Sequence, residues 1–277
     1  MIVRVPGSSA NLGPGFDTLG LAIGLHVELG VIDGDLPDGA RRIEQRHPGQ
    51  VAFRAAGGDG ELWERCSLPM GRGLGFSGAV RVGGALLGVA QRSGVESVDA
   101  GMQAEVLALT TELEGHADNV AASIHGGVVA AAAGRVVRVP LAFDPAVVVW
   151  IPSFVTKTDE SRRVLPETVP FADAVFSIGR VALLVAALAV GDIDALRSAT
   201  EDRLHQPMRL ALAEPSRKAL ESALDAGAWC SWLSGSGPSI AALCAPDDAE
   251  RLAAALPESG RTKVLRIDRA GAVLVAP

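Results

Sequence analysis

The sequence has few cysteines, no tyrosine and no long hydrophobic run. Its three cysteines, Cys66, Cys230 and Cys244, are widely spaced and odd in number, which favours free thiols in a reducing cytoplasm. No cysteine and histidine spacing typical of a zinc site occurs. The longest apolar stretch, residues 181–190, is too short to span a bilayer and is typical of a buried helix. A basic leader is also missing, so we expect a cytoplasmic protein with no signal peptide and no membrane partner.

An excess of positive charge is absent as well. The 277 residues carry a formal net charge of −7, so a nucleic-acid-binding surface is not expected, although a locally basic pocket remains compatible with this balance. The composition, 48% hydrophobic and 21% charged, is that of a globular protein. The length allows one large domain or two smaller ones.

Strands and helices are mixed along the chain rather than strictly alternating. Apolar patterns predict strands at 2–5, 25–32, 62–70 and 146–152, and a hairpin at 128–139 with Gly134 in its turn. Periods of 3.6 residues and stop signals predict helices at 77–92, 100–113, 118–124, 171–190, 193–205 and 214–226. The tail alternates strand, helix and strand. This mixture predicts an α+β fold in two lobes, 1–150 and 151–277.

The stretch LPMGRGLGFSGAV, residues 68–80, is the first candidate site. A predicted strand ends at Pro69, glycines follow, and a helix begins near Ser77. This order places unpaired backbone N–H groups and the positive end of a helix dipole together, where an anion binds. The stretch lacks the Gly-Lys-Ser/Thr ending of a Walker loop and the context of a Rossmann fingerprint. By itself, a plain strand–turn–helix connection explains it equally well.

Two further polar segments carry candidate functional residues. In SSANLGPGFDTLG, residues 8–20, a rigid loop presents Asn11 and Asp17 to a small polar ligand, or forms only a hairpin with Asx turns. ELEGHADN, residues 112–119, gathers polar groups between two helices. Glu114 there is a candidate Mg²⁺ ligand, since Mg²⁺ prefers one or two carboxylates together with phosphate oxygens. A solvated helix end is the alternative.

Cations and small residues complete the set. The segments 157–163 and 201–209 each offer arginines, for which surface ion pairs are the alternative, and we favour that alternative for Arg163 and Arg203. The segment LSGSGPS, residues 233–239, is a turn of small residues before a strand. Such a turn permits close approach of the backbone to a ligand.

Taken in order, these segments resemble homoserine kinases. The shared motifs are PGSSANLGPGFDTLGLA, GRGLG, EGHADNVA, VLPETV, ATEDRLHQP and SGSGPS. Homoserine kinases are part of the wider family of galacto-, homoserine, mevalonate and phosphomevalonate kinases. The resemblance implies an N-terminal mixed-sheet lobe that binds nucleotide and a C-terminal ferredoxin-like lobe. It implies ATP-dependent phosphorylation of the L-homoserine hydroxyl in threonine biosynthesis, with Mg²⁺.

The resemblance also implies roles for individual residues. The phosphate loop, residues 69–79, would hold ATP through Pro69, Gly71, Gly73, Leu74, Gly75, Ser77 and Gly78. The metal ligands would be Ser77 and Glu114, and Asn11, Glu114 and Arg162 would take part in catalysis. The amino-acid substrate would contact Asn11, Asp17, His116, Asp118, Thr158, Arg162 and Arg209.

The sequence departs from the family at the nucleotide side. The family loop has Ser-Ser after Gly-Leu-Gly, whereas this chain has Phe76 and then Ser77. A phenyl ring neither donates to a phosphate nor ligates Mg²⁺. Segment 30–65 is shorter than usual. Two alternatives therefore stand beside homoserine phosphorylation: a related kinase for another small alcohol, and a non-catalytic amino-acid-binding protein on the same fold. A homodimer is compatible with the sequence.

Overall fold

The computed structural model describes residues 1–95, 97–155 and 158–275, with side chains described from residue 161 onward in the last range. Its strands are β1 Ile2–Ala10, β2 Leu19–Val31, β3 Arg41–Arg42, β4 Leu62–Cys66, β5 Val128–Ala132, β6 Arg135–Val139, β7 Ala146–Pro152, β8 Cys230–Leu233, β9 Ile240–Cys244, β10 Gly260–Arg266 and β11 Val273–Val275. Its helices are α1 Pro48–Ala55, α2 Phe76–Ser93, α3 Ala100–Glu114, α4 Asp118–His125, α5 Thr158–Arg163, α6 Phe171–Val190, α7 Ile193–Ala199, α8 Gln206–Ala211, α9 Glu214–Asp225 and α10 Ala249–Ala254, with a 3₁₀ turn at Pro246–Asp248.

The first sheet is antiparallel and is built around β1 and β2. Its strand order is β11-β1-β2-β4-β3, and the hairpin β5-β6 extends it from β2. The helices α2 and α4 pack on β1 and β2. The pairing of β1 and β2 brings Ala10 opposite Gly20 and leaves the loop between the two strands beyond this pair. This is the loop that contains Asn11 and Asp17.

The helices α1 and α2 approach each other unusually closely, because glycine lies at their contact. A Cβ atom on Gly84 would lie 2.0 Å from the carbonyl oxygen of Gly49. No side chain fits there, so a glycine is required at residue 84. The close contact fixes the position of α2, whose first turn follows the phosphate loop.

The second sheet has the ferredoxin-like topology. Its strands follow the order β10-β7-β9-β8, all antiparallel, and along the chain they alternate with helices as β7, α9, β8, β9, α10, β10. Both faces are covered, as the side chains of β7 show: Val147 and Val149 enter the main core, whereas Val148 and Trp150 enter a second core under α9 and α10. The predicted two-lobe α+β fold with a ferredoxin-like second lobe is confirmed.

The last strand returns to the first sheet. β11 pairs antiparallel with β1, with Val3 opposite Leu274. Strands from residues 2–139 and 273–275 thus share one sheet, and strands from residues 146–266 share the other. The division of the chain at residue 150 stays a prediction.

Most predicted elements occur, but several differ in extent. β2 begins at Leu19 rather than at residue 25, and β4 ends at Cys66 rather than at residue 70. β1 continues to Ala10, beyond the predicted end at residue 5, because it pairs with β2 along its whole length. α7 begins after the predicted N-cap Asp192, but it ends at Ala199 rather than 205. The carboxylate of Asp202 accepts hydrogen bonds from the backbone N–H groups of residues 204–206, which replaces helical pairing there.

The apolar stretch 181–190 forms the second half of α6, but the expectation that this helix is buried was wrong. Among the described residues, α6 alone is long and apolar enough to cross a membrane by length and composition, and only 22% of that apolar window is buried. Leu184, Ala187 and Leu188 pack inward. Ile178 and Val190 are exposed. α6 is therefore an apolar surface helix.

Candidate active site

The segments selected from the sequence meet around one cavity of about 540 Å³. The predicted site residues that line it are Asn11, Asp17, Pro69, Gly71, Gly73, Leu74, Gly75, Ser77, Glu114, His116, Asp118, Arg162 and Arg209. Gly78 lies behind the wall, in the first turn of α2, against Asn119 and Val120. The side chain of Thr158 lies outside the described residues. Arg203 lies away from the cavity, where it pairs with Asp173 on the surface.

The phosphate loop forms one wall and ends at the N-terminus of α2. Gly71, Gly73 and Gly75 all have positive φ, between 65° and 71°. Gly75 is the N-cap of α2, and no side chain there accepts from the first turn. The first turn of α2 therefore lines the cavity and has no side-chain capping oxygen, which makes this wall suitable for an anion.

Hydrogen bonds from distant segments hold the phosphate loop in place. The N–H of Ser8 donates to the carbonyl of Leu74, and the hydroxyl of Ser234 donates to the carbonyl of Gly73 at 2.6 Å. The guanidinium of Arg72 donates to the carbonyls of residues 152 and 153. The loop is thus fixed by β1, by the end of β7 and by the segment 233–239. Sequence reasoning missed Ser8 and Arg72 in this role, because no local pattern marks such contacts.

The loop between β1 and β2 contributes two polar side chains, Asn11 and Asp17, to the second wall of the cavity. Asn11 has φ of 73°, a conformation that asparagine tolerates better than most residues. Its Oδ1 accepts from the N–H of Asp17 at 3.0 Å, and its Nδ2 donates to the carbonyl of Gly235. Asn11 therefore fixes the direction of Asp17.

Asp17 forms a two-point ion pair with Arg162 of α5. The guanidinium nitrogens lie 3.0 and 2.6 Å from the two carboxylate oxygens, and both side chains are about one-third exposed to the cavity. The arginine also lies 5.4 Å above the centroid of the Phe16 ring. A carboxylate and a guanidinium thus lie side by side, which is the charge arrangement complementary to a zwitterion.

Arg209 of α8 lies deeper in the same wall. Its Nη1 donates to Nδ1 of His205 and to the carbonyl of Gly235, and its Nε donates to the carbonyl of Ser161. Burial, together with the nearby charge of Arg162, lowers the pKa of Arg209 to about 10, so it stays a cation at neutral pH. Burial lowers the pKa of His205, whose Nε2 donates to the carbonyl of Gly13. A neutral His205 therefore accepts from Arg209.

Three side chains beside Arg162 form a cluster that could hold a cation. Ligand atoms of Asp17, His116 and Asp118 lie within 4.8 Å of one another. Nδ1 of His116 lies 2.8 Å from Oδ1 of Asp118. Burial opposes protonation of the imidazole, but this hydrogen bond and the charges of Asp118, Asp17 and Glu114 raise the pKa of His116 above its ordinary value. The proton on Nδ1 is donated to Asp118.

A hydroxyl and a carboxylate meet at the junction of α2 and α3. Ser77 Oγ donates to Oε2 of Glu114 at 2.8 Å, and Nε of Arg81 donates to the same oxygen at 2.6 Å. The hydroxyl and the carboxylate are hard oxygen donors of the kind that Mg²⁺ takes beside phosphate oxygens, so the donor set fits that ion. Arg81 was missed in the sequence analysis, although it lies four residues after Ser77 and hence on the same face of α2.

The first residue of α2, Phe76, directs its ring toward α1. Its ring packs edge-on against the ring of His47, the N-cap of α1, with centroids 5.9 Å apart. The ring lines the rim of the cavity and contributes no polar group. On the helix N-terminus, Ser77 is left as the hydroxyl donor.

Comparisons with known proteins agree on one family. The model of the GHMP kinase C-terminal domain matches residues 184–262. A homoserine kinase of Moorella thermoacetica is 41% identical over 265 residues, covering 88% of this chain and 87% of that protein. A homoserine kinase of Caldanaerobacter subterraneus subsp. tengcongensis is 36% identical, covering 90% of this chain and 85% of that protein.

The solved structures agree with the curated sequences. The crystal structure of a homoserine kinase from Cytophaga hutchinsonii superposes with a TM-score of 0.84 at 26% identity, covering 99% of this chain and 96% of that one. Relatives above 30% identity extend over most of this chain. The chain therefore belongs to the homoserine kinase family, within the GHMP kinases.

Proposed function

We propose that this protein transfers the γ-phosphoryl group of ATP to the hydroxyl of L-homoserine, giving O-phospho-L-homoserine and ADP. One observation carries the proposal: a single cavity has an anion-binding glycine loop on one wall and the Asp17–Arg162 pair on the other. The two walls match the two substrates, a nucleotide phosphate and a zwitterionic amino acid. The names of the relatives support the same assignment.

The amino acid binds by its two charges. Its ammonium group takes the space among Asp17, His116 and Asp118, and its carboxylate takes donors from Arg162 and the buried Arg209. A metal ion bound by Asp17, His116 and Asp118 would compete with the ammonium group for this position. The adjacent arginines favour the amino acid, because they provide the partner for a carboxylate at the same place. Asn11 keeps Asp17 in the required direction.

Catalysis rests on positioning and on neutralisation of charge. The N–H groups at the start of α2 hold the phosphates of the nucleotide. Arg162 and Arg209 hold the amino acid so that its hydroxyl faces these phosphates. Among the described residues that line the cavity, His116 is the one histidine, and its place beside Asp17 and Asp118 assigns it to binding of the amino acid rather than to proton abstraction. A phosphoryl transfer with a loose transition state needs no strong base.

Ser77 and Glu114 are the residues that would hold Mg²⁺. When bound, the ion neutralises charge on the phosphate oxygens. Glu114 ends α3, so its carboxylate is aimed at the start of α2 rather than at solvent, and 13% of its side chain is exposed.

An ADP-release assay tests the function. Mg-ATP is offered with homoserine, serine, threonine and mevalonate, and turnover is expected with homoserine at the highest kcat/KM. Glu114→Gln should lower kcat about 100-fold by removing the charge that holds the metal. Higher turnover of another alcohol would identify a related kinase. Folded protein that binds homoserine but turns over none of the alcohols would reject the kinase and favour an amino-acid-binding protein.

We also propose a homodimer formed through the outer face of α6. Phe171, Val175, Ile178 and Val190 are exposed there in one uncharged stripe along ~30 Å of helix. An antiparallel second copy covers such a stripe without bringing like charges together. Light scattering after gel filtration should give a dimer mass for the wild type and a monomer for Ile178→Asp. A monomeric wild type would reject the dimer.

A further inference from the structure

The guanidinium of Arg81 is hydrogen-bonded to Glu114, the carboxylate that would hold the metal ion. Oε2 of Glu114 accepts from both Ser77 and Arg81, and the bond to Nε of Arg81 is 2.6 Å. The two side chains are mostly buried, with exposed fractions of 19% for Arg81 and 13% for Glu114. The pair is thus sheltered from water and from screening ions, unlike a surface ion pair.

The position of this pair explains its formation. Glu114 is the last residue of α3, where a negative side chain adds to the negative end of the helix dipole. A cation that reaches this end from α2 is therefore favoured. Arg81 extends from α2 one turn after Ser77, so both donors approach the same carboxylate oxygen from one side.

We infer that Arg81 competes with the divalent cation for Glu114 and sets how much cation the active site needs. This inference rests on the proposed metal-dependent phosphoryl transfer. A cation that coordinates Oε2 replaces the Arg81 bond, and one that coordinates Oε1 lies close to a guanidinium of like charge. Either arrangement weakens binding of the ion. Arg81 acts through Glu114 and is a positioning residue rather than a catalytic one.

The chain contains a matched control on the same two helices. Arg92 near the end of α2 pairs with Glu105 of α3 at 2.7 Å, and neither residue lines the cavity. Arg92→Met therefore removes an arginine that bridges α2 and α3 without touching Glu114. Comparison of Arg81→Met with Arg92→Met separates competition at the carboxylate from general loss of a helix-bridging pair.

Direct binding of Mn²⁺, followed by electron paramagnetic resonance with and without ADP, tests the inference. Arg81→Met should bind Mn²⁺ about tenfold more tightly than the wild type, while Arg92→Met should match the wild type. Arg81→Lys, which keeps the charge, should stay closer to the wild type than Arg81→Met. In a Glu114→Gln background the Arg81→Met change should alter Mn²⁺ affinity less than twofold, because the shared partner is gone.

The outcomes separate this inference from the proposed function. Unchanged or weaker Mn²⁺ binding in Arg81→Met, or the same tightening in Arg92→Met, would overturn the competition. Absence of detectable Mn²⁺ binding in both the wild type and Arg81→Met would overturn it as well. Tighter Mn²⁺ binding in Arg81→Met without turnover of homoserine would retain the competition and reject the kinase function. Thermal unfolding of each variant confirms that the chain is folded.

Discussion

At the scale of single residues, Arg209 is a buried cation whose hydrogen-bond partners are all uncharged. Two of its three partners are backbone carbonyls and the third is a buried neutral histidine, so the guanidinium has no carboxylate hydrogen-bonded to it among the described residues. Its charge is therefore available to a ligand, whereas that of Arg162 is shared with Asp17. We therefore expect Arg209 to contribute more than Arg162 to binding of a substrate carboxylate.

Arg209→Ala should raise the KM for homoserine at least tenfold and change kcat less, because the lost donor acts on the bound carboxylate in both ground and transition states. Steady-state kinetics with varied homoserine measure the change. Arg203→Ala, which removes a surface cation paired with Asp173, should leave KM unchanged. An unaltered KM in Arg209→Ala would remove Arg209 from the substrate pocket.

The interaction of protonated His116 with Asp118 should add to the free energy of unfolding mainly at acidic pH. The folded-state pKa of His116 lies above 6.5, so its contribution is fully present below 6.5 and is lost as the pH rises through the folded value. Unfolding by urea should show that His116→Gln costs more free energy in mildly acidic buffer than in alkaline buffer.

His125 provides a control of opposite sign. Burial, with the charge of Arg138, lowers the pKa of His125, so the unfolded chain takes up the proton more readily. The wild type should therefore lose stability relative to His125→Gln as the pH falls below 6.5.

For His116, the same dependence of the unfolding free energy on pH in His116→Gln and in the wild type would contradict the ion pair between His116 and Asp118.

At the scale of elements, the contact of the phosphate loop with segment 233–239 is the critical one. A Cβ atom on Gly73 would lie 2.2 Å from the carbonyl oxygen of Ser234, and the φ of Gly73 is +70°. Backbone atoms on both sides of this contact cannot move far without breaking the bond from Ser234 to Gly73. The loop can therefore keep its shape only with glycine here.

Gly73→Ala should lower the free energy of unfolding by about 3 kcal/mol and abolish nucleotide binding, through strain and backbone displacement together. Gly94→Ala is the matched control, because its φ is +66° but nothing lies within 4 Å of its added Cβ. That variant should lose only about 1 kcal/mol, the cost of the φ angle alone. Urea unfolding and calorimetric titration with ADP measure both, and equal losses would contradict the steric argument.

At the scale of the whole molecule, the segment after β10 connects the two sheets. Oδ2 of Asp268 lies 2.7 Å from Nε2 of His26 on β2, and Oδ1 accepts from the N–H groups of Ala270 and Gly271. Burial raises the pKa of this carboxyl, but these hydrogen bonds outweigh burial and hold its pKa below the usual value of 3.8. A carboxylate therefore fixes the return of the chain to β1.

Asp268→Asn should lower the free energy of unfolding by about 2 kcal/mol at neutral pH, because hydrogen bonds to a charged group are lost. The lowered pKa means that the contribution is present above 3.8 and is lost as the pH falls through the folded value. Asp144→Asn, which affects an exposed pair with Arg269, should stay within about 0.5 kcal/mol of the wild type. Urea unfolding at neutral and at low pH distinguishes these outcomes.

Local signals in the sequence determined much of the secondary structure. Gly94 and Gly191 end α2 and α6 because glycine adopts positive φ without strain, and both positions are legible as stop signals. The glycines before Ser77 likewise predicted a loop and a helix start. The end of α7 was not predictable in this way, because it depends on hydrogen bonds to a side chain in the following loop.

The sequence by itself determined where polar segments lie along the chain and, through their order, which family they resemble. Only the tertiary structure decided which of them touch. Asp17 meets Arg162 across 145 positions, and Arg81 meets Glu114 across 33 positions. Such contacts depend on how helices and sheets pack, which no local period records. For the same reason the surface position of α6 and the place of Phe76 against His47 became known from the packing alone.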